Sequence, residues 1–190
     1  MKHFFFSILV SLIAIHSYCQ TGSPITSFGT SGNANTVVGS GSTTADMAVQ
    51  SDGKLIVAGY ATVGGNSDFA LARFKSDGTL DPSFNGTGKQ STAIGSASDY
   101  LSAIALQSDG KIVAVGYCVV GSVYNIGLAR YLSDGTLDAG FSGDGKLTTS
   151  LGASGSTTGM DVAIQGDGKI VVVGSYNSNM IVVRYNTDGS

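Results

Sequence analysis

Gln50-Ser-Asp-Gly-Lys-Leu-Ile-Val-Ala-Gly-Tyr60 returns as Gln107-Ser-Asp-Gly-Lys-Ile-Val-Ala-Val-Gly-Tyr117, and again as Gln165-Gly-Asp-Gly-Lys-Ile-Val-Val-Val-Gly174. From Gln50 to Gln107 to Gln165 the spacings are 57 and 58 residues. A fixed period of that size marks an array of one supersecondary unit, whose copies together bury what each alone leaves wet. Within the quoted stretch, Ser51-Asp-Gly-Lys54 reads as a tight turn, because Asp tolerates and Gly prefers the positive φ of hairpin turns. The run Leu55-Ile-Val-Ala58 is apolar at every position, which fits a central strand covered on both faces. Asp52 and Gly53, Asp109 and Gly110, and Asp167 and Gly168 are therefore read as structural turn residues.

Working outward, Asp46 to Gln50 gives a first strand, Lys54 to Tyr60 a second, Asp68 to Phe74 a third and Lys89 to Ile94 a weaker fourth. Antiparallel neighbours joined by short turns make a meander. A four-stranded meander that is apolar on both faces cannot fold alone, and stacking copies face to face around an axis, as in a β-propeller, covers both. The expected fold is all-β: a β-propeller-like array of about three four-stranded antiparallel blades with the period above. It should be an incomplete ring, since closed propellers have four to eight blades. A β-roll or solenoid is the alternative.

The expected divisions are a signal peptide at 1–19, a Gly/Ser/Thr-rich segment at 20–45 holding the tail of a unit, repeats at 46–102 and 103–160, and a truncated third at 161–190. The stretch around Phe28-Gly-Thr-Ser-Gly32 resembles the part of the unit that would follow Asp188-Gly-Ser190. Pro24 to Val38 is accordingly expected to complete the sheet begun by Asp161 to Tyr185; otherwise self-association or further C-terminal repeats would close the ring.

The pattern Gln-x-Asp-Gly-Lys-Ile-Val-Val-x-Gly, followed by Leu-Ala-Arg-Tyr, Asp-Gly-Thr-Leu-Asp and Phe, resembles the delta-60 repeat family. Leu71-Ala-Arg-Phe74, Asp77-Gly-Thr-Leu-Asp81 and Phe84 match it, as do Leu128-Ala-Arg-Tyr131, Asp134-Gly-Thr-Leu-Asp138 and Phe141. The third copy matches through Val183-Arg-Tyr185 and Asp188-Gly189 only. The resemblance covers nearly everything after Asp46. It implies bacterial exported or surface proteins with a propeller-like fold, and it brings no activity with it.

At the N-terminus Lys2 and His3 precede an apolar run from Phe4 to Ile15 and a more polar stretch, His16-Ser-Tyr-Cys-Gln20. That is the layout of a secretory signal, and the run is shorter than the roughly 20 residues of a membrane span. Cleavage after Cys19 is the expected site, with lipidation of Cys19 the alternative, and the destination is the medium or the outer cell surface. Removal of the segment takes away His3 and His16, the only histidines, and one of the two cysteines. The mature chain has no glutamate or tryptophan, and without Lys2 nine cations face 13 aspartates, a balance of −4. Such a surface offers no footprint for nucleic acid. Neither a Ser-His-Asp triad nor a His-based zinc site can be assembled. Cys118, alone and in the place of Ala61, reads as a small core residue.

Aspartates are the plentiful reactive groups, and seven of the 13 precede glycine, which marks turns. Asp77 and Asp81 with Asn85, and Asp134, Asp138 and Asp144, put oxygen ligands into bendable segments and are candidate Ca²⁺ ligands; the competing reading is that the second Asp of each Asp-Gly-Thr-Leu-Asp caps backbone amides. Asp46, Asp68, Asp99 and Asp161 have no evident turn role. Two of them could form the acid and base of a glycoside hydrolase or lyase, against which repetition argues, because a catalytic pair is a singular arrangement. Arg73, Arg130 and Arg184, the only arginines, each precede an aromatic residue. They are expected to pair with neighbouring carboxylates, the other reading being a ring of guanidinium groups for an anion. Tyr60, Tyr117 and Tyr176 stand near strand ends and suit either sugar stacking or a rim over the core. The function expected is a non-enzymatic scaffold or recognition module, reading a protein or glycan through Ala61 to Ser67 and Val119 to Asn125, where the copies differ.

Overall fold

A computed structural model describes residues 22–152 and 155–190. The signal segment, its cleavage site and Cys19 lie outside the described residues. Among the described residues the chain forms eleven strands and no helix. Sheet 1 is the meander β1 (Ser42–Val49), β2 (Leu55–Val63), β3 (Asn66–Phe74) and β4 (Lys89–Thr92). Sheet 2 repeats it with β5 (Asp99–Leu106), β6 (Ile112–Val120), β7 (Val123–Tyr131) and β8 (Lys146–Thr149). Sheet 3 holds β9 (Thr157–Ile164), β10 (Ile170–Tyr176) and β11 (Asn179–Tyr185), so the third unit shows three strands of the four-stranded meander. All pairings are antiparallel, and the three sheets form an unclosed, propeller-like array.

The repeated turn works as a type I turn with a bulge, and its two key residues divide the labour. Gly53, Gly110 and Gly168 take φ values of 80°, 84° and 82°, where a side chain is disfavoured. Asp52, Asp109 and Asp167 do not adopt positive φ; each accepts the amide of the Lys two residues on, at 3.2 Å. The aspartate is thus selected for its acceptor oxygen.

The core lies between sheets, not within them. β5 rests on sheet 1, so that Ile56, Ala58, Phe69 and Leu71 meet Leu101, Ile104, Ile112 and Ala114, all buried. β9 rests on sheet 2 in the same way, with Val113, Val115, Ile126 and Leu128 against Val162, Ile170 and Val172. Odd and even positions of β6 therefore serve different interfaces, which is why its whole run is apolar.

A bulge recurs in the first strand of each sheet, at Ala45, Ser102 and Met160. Opposite it stand Gly59, Gly116 and Gly174, where an added Cβ would lie about 2 Å from the carbonyl oxygen of Thr43, Tyr100 or Thr158. The glycine that ends each quoted motif is required by this close approach.

Two expectations are corrected. Ala61 to Ser67 and Val119 to Asn125 are not open loops: β2 runs on to Val63 and β3 begins at Asn66, leaving Gly64 and Gly65 as a two-residue turn. Cross-strand pairing continues to the hairpin tips, with Val63 opposite Asn66 and Val120 opposite Val123. Pro24 to Val38 does not complete sheet 3. It lies against sheet 1, where Gly29 donates its amide to Asp77 at 2.8 Å and Val38 is buried with Ala61 and Ala70.

Candidate functional site

Each sheet has two ends with different chemistry. At the end carrying the Asp-Gly turns, Arg73 on β3 donates through Nε to Asp81 at 2.8 Å, both side chains being almost wholly buried. Its other nitrogens donate to the Ser83 hydroxyl at 2.9 Å and to the Ser133 carbonyl of sheet 2 at 2.5 Å. The guanidinium lies 4.8 Å from the centre of the Phe84 ring. Arg130 repeats the arrangement with Asp138 at 2.8 Å, the Thr187 carbonyl of sheet 3 and the Phe141 ring at 4.8 Å. Arg73 and Arg130 therefore clamp one sheet to the next, and the anion-binding ring is not formed. Arg184, their equivalent on β11, is exposed.

Lys54 and Lys111 extend these clusters. Lys54 Nζ reaches Asp52 at 3.2 Å and Asp81 at 3.4 Å, while Lys111 reaches Asp109 at 2.7 Å and Asp138 at 3.9 Å. The two recurring motifs of each unit thus meet around one carboxylate. Burial pushes the Asp81 carboxyl up, yet the Ser83 hydroxyl and amide, Arg73 and Lys54 outweigh it and hold the group at about 2. Sequence reasoning missed the lysines and the phenylalanines of this cluster, although their recurrence in every matching copy was the available signal.

The same bonds account for the candidate calcium ligands. Asp77 and Asp134 each accept the amide and hydroxyl of the threonine two residues on. Asp144 takes the Lys146 amide at 2.9 Å, and Asp81 and Asp138 are held by arginine. Among the described residues no group of three or more His, Cys, Asp or Glu is arranged to hold a metal ion. The oxygen atoms serve the turns, and the residues do not fit a Ca²⁺ cage.

Of the four remaining aspartates, Asp68 and Asp99 are both buried and near each other, the Asp68 charge adding to the burial-driven rise of Asp99. Asp99 is fully buried, with its carboxylate on the Ile94 amide at 2.7 Å and the Gly95 amide at 3.1 Å. Burial raises its carboxyl against the pull of those amides. Burial also raises Asp68, which belongs to β3. Asp46 bridges sheets through Oδ2, which accepts the Ile104 amide at 2.8 Å, and Asp161 stands exposed on β9. Cys118 is buried and points its thiol at the Asn125 carbonyl, and burial together with the Asp99 charge pushes it up to about 12. Such a thiol is not a nucleophile at neutral pH.

The opposite end, near the β2–β3 and β6–β7 hairpins, carries an aromatic ridge. Tyr60 meets Tyr100 edge-on with ring centres 5.0 Å apart, Tyr100 stacks on Tyr117 at 5.1 Å, and Tyr117 meets Tyr124 edge-on at 5.3 Å. The row crosses from sheet 1 to sheet 2 and ends at Tyr124, which is 44% exposed. Beyond it a cleft of about 340 Å³ is lined by Ser102, Tyr117, Tyr124, Thr158, Gly159 and Met160. Burial, followed by the neighbouring phenols, raises the Tyr117 hydroxyl, so it stays a neutral donor and acceptor.

Tyr176, expected to stand with Tyr60 and Tyr117 near the strand ends, is not part of the row. The residue paired across from the inner strand in their place is Ser175, whose hydroxyl lies 2.9 Å from that of Thr158. One residue of slip turns Tyr176 to the other face, where its ring lies over Gly152 and Gly155. Tyr100 and Tyr124 escaped sequence reasoning because their copies in the other units are hydroxyl residues, not aromatics.

A family model described as a domain of unknown function (DUF5122) beta-propeller matches residues 50–84, 107–141 and 165–190, just over half of the chain. Each matched stretch begins at or next to the Gln of the repeated turn, and the first two end at the clamping phenylalanine. No curated protein matches the chain.

Proposed function

This chain belongs to the DUF5122 β-propeller family, and from that premise we propose that it is an exported, non-enzymatic recognition module whose tyrosine ridge contacts a glycan or a protein surface. The observation that carries the proposal is the ridge itself: four adjacent phenols, of which Tyr100 and Tyr124 stand where the other units carry threonine or serine. Aromatic faces stack on the apolar faces of sugars and their hydroxyls bond outward, which suits a partner of mixed polarity. The non-enzymatic reading is supported by a mature chain without His or Glu, by the inert Cys118 thiol and by aspartates already bonded to amides and arginines. Export to the medium or the cell surface is supported by the charged and apolar N-terminal segment. Within the family, the finer assignment to delta-60 repeats is supported by Leu-Ala-Arg-aromatic followed by Asp-Gly-Thr-Leu-Asp in two copies.

The test is a glycan array probed with the mature chain and with Tyr117→Ala/Tyr124→Ala. Binding to a defined saccharide class should fall by about tenfold or more, roughly 1.4 kcal/mol, with an unchanged melting temperature. Equal binding by both proteins would remove the ridge from recognition. Turnover of chromogenic glycosides that Asp99→Asn abolishes would instead establish an enzyme.

A further inference from the structure

At the end carrying the Asp-Gly turns, a cleft of about 760 Å³ opens between sheets 2 and 3, inside the range of about 300–1,000 Å³ that small-molecule sites take. Two serines of the repeated frame are glycine in its walls. Between sheets 1 and 2, Arg73 donates through Nη2 to the Ser83 hydroxyl at 2.9 Å; in the next unit Gly140 takes the place of that serine. Arg130 keeps its bonds to Asp138 and the Thr187 carbonyl, but its Nη2 has no acceptor among the described residues, although the residue is only 6% exposed. Across the cleft, Gly166 stands where the first two copies carry Ser51 and Ser108.

Neither glycine answers a need of the backbone. Neither adopts a positive φ, the conformation that calls for glycine. A Cβ on Gly166 would meet nothing within 4 Å. One on Gly140 would come within 3.1 Å of an Asp138 carboxylate oxygen, yet Ser83 occupies the same relation to Asp81, with its amide at 3.1 Å and its hydroxyl at 2.7 Å from that carboxylate. The frame accepts serine at both places, and glycine leaves the cleft open.

The vacated groups indicate what would fill it. Arg130 Nη2 needs an acceptor, and Gln107 Oε1, buried without a partner in a residue of the same wall, needs a donor. A hydroxyl is both, whereas a carboxylate or sulfate offers acceptors only. Gln50 Oε1 is equally unpartnered, so that acceptor belongs to the frame and the missing serine hydroxyl is what sets this junction apart. Charge points the same way: Lys111 and Arg130 are matched by Asp109 and Asp188, with Asp138 on Arg130, which leaves no surplus to hold an anion. Leu106 and Ile164 add apolar surface for the C–H face of a ring.

We propose that this cleft binds a neutral saccharide, one hydroxyl taking on Arg130 the place that the Ser83 hydroxyl holds on Arg73. The site lies at the opposite end of the sheets from the tyrosine ridge and does not rest on the recognition role proposed there.

Saturation-transfer NMR of the mature chain with maltose, cellobiose, lactose and sodium sulfate tests it. At least one disaccharide should bind with a Kd of about 1 mM or tighter, and sulfate at least about tenfold more weakly. Gly140→Ser/Gly166→Ser, which restores side chains the frame already carries, should keep the melting temperature and weaken that sugar at least about tenfold. Gln107→Met, close in volume, should weaken it as well, and Tyr117→Ala/Tyr124→Ala should leave its affinity unchanged. Absence of binding by all three disaccharides at about 10 mM overturns the proposal. So does tighter binding of sulfate, and so does sugar binding that survives both cleft variants or disappears with the tyrosines, the last of which would assign the sugar to the ridge.

Discussion

Replacing Arg130 by Met tests whether the sheet-to-sheet clamp contributes what its geometry implies. Met retains the apolar stem, so the substitution deletes the charge with little loss of packing. Three contacts go: the 2.8 Å pair with Asp138, the bond to the Thr187 carbonyl, and the position over the Phe141 ring. What remains matters more, because Asp138 stays behind with its side chain 12% exposed and Lys111 at 3.9 Å. Stranding one member of a buried pair costs about 3–5 kcal/mol. Lys111 and the Gly140 amide at 2.9 Å still support the carboxylate, which places the expected loss near the lower end, about 3 kcal/mol. For a chain of this size that is a fall in melting temperature of roughly 6–12 °C. Urea unfolding followed by tyrosine fluorescence measures it, with the slope unchanged and the midpoint lowered. Arg130→Met/Asp138→Leu should return to within about 1 kcal/mol of the parent, since removing both charges is close to neutral. Asp144→Asn, at a pair exposed to solvent, should change stability by less than about 0.5 kcal/mol. A single variant within about 0.5 kcal/mol of the parent, or a double variant no better than the single, refutes the clamp.

Two further outcomes follow from the same geometry. Asp81 is held at about 2 in the folded chain, below its usual 3.8, so its contribution is complete above pH 3.8 and disappears as pH falls through about 2; that is worth about 2 kcal/mol, and Asp81→Asn should flatten the acid limb of stability between about pH 4 and pH 2. A variant that keeps the parental slope there would contradict the assignment. Gly116→Ala drives a Cβ to 2.0 Å from the Tyr100 carbonyl at the β5 bulge, and should cost about 3 kcal/mol, the top of the range for overpacking. Gly121→Ala meets open space at a φ of 64° and should cost about 1 kcal/mol. If Gly121→Ala proves the more damaging in thermal unfolding, backbone angle rather than close approach governs the motif glycine.

Much of the architecture was legible because it is local and repeated. Asp-Gly before Leu-Ile-Val-Ala fixes a turn and a strand from neighbouring residues alone, and three copies leave no doubt of the unit. The extent of β2 and β3 was not legible, since Ala61 and Asn66 do not favour strands and follow the pairing across the hairpin. At the candidate site the difficulty lay in register. Tyr60 and Tyr117 look equivalent to Tyr176, yet cross-strand pairing gives that place to Ser175 and turns Tyr176 away. Tyr100 and Tyr124 are far from Tyr60 in sequence, and only the rest of β5 on sheet 1 brings Tyr100 to within 5.0 Å of it.

By itself the sequence determined the period, the turns, the all-strand content and the absence of histidine and glutamate after the N-terminal segment, because these depend on residue type and near neighbours. The tertiary structure decided which carboxylate each arginine holds, that Arg73 and Arg130 reach into the next sheet while Arg184 stays exposed, that Pro24 to Val38 docks on sheet 1 rather than sheet 3, and that four tyrosines form one row. These are contacts between residues in different units, set by how one twisted sheet rests on the next, and no local pattern in the chain encodes that placement.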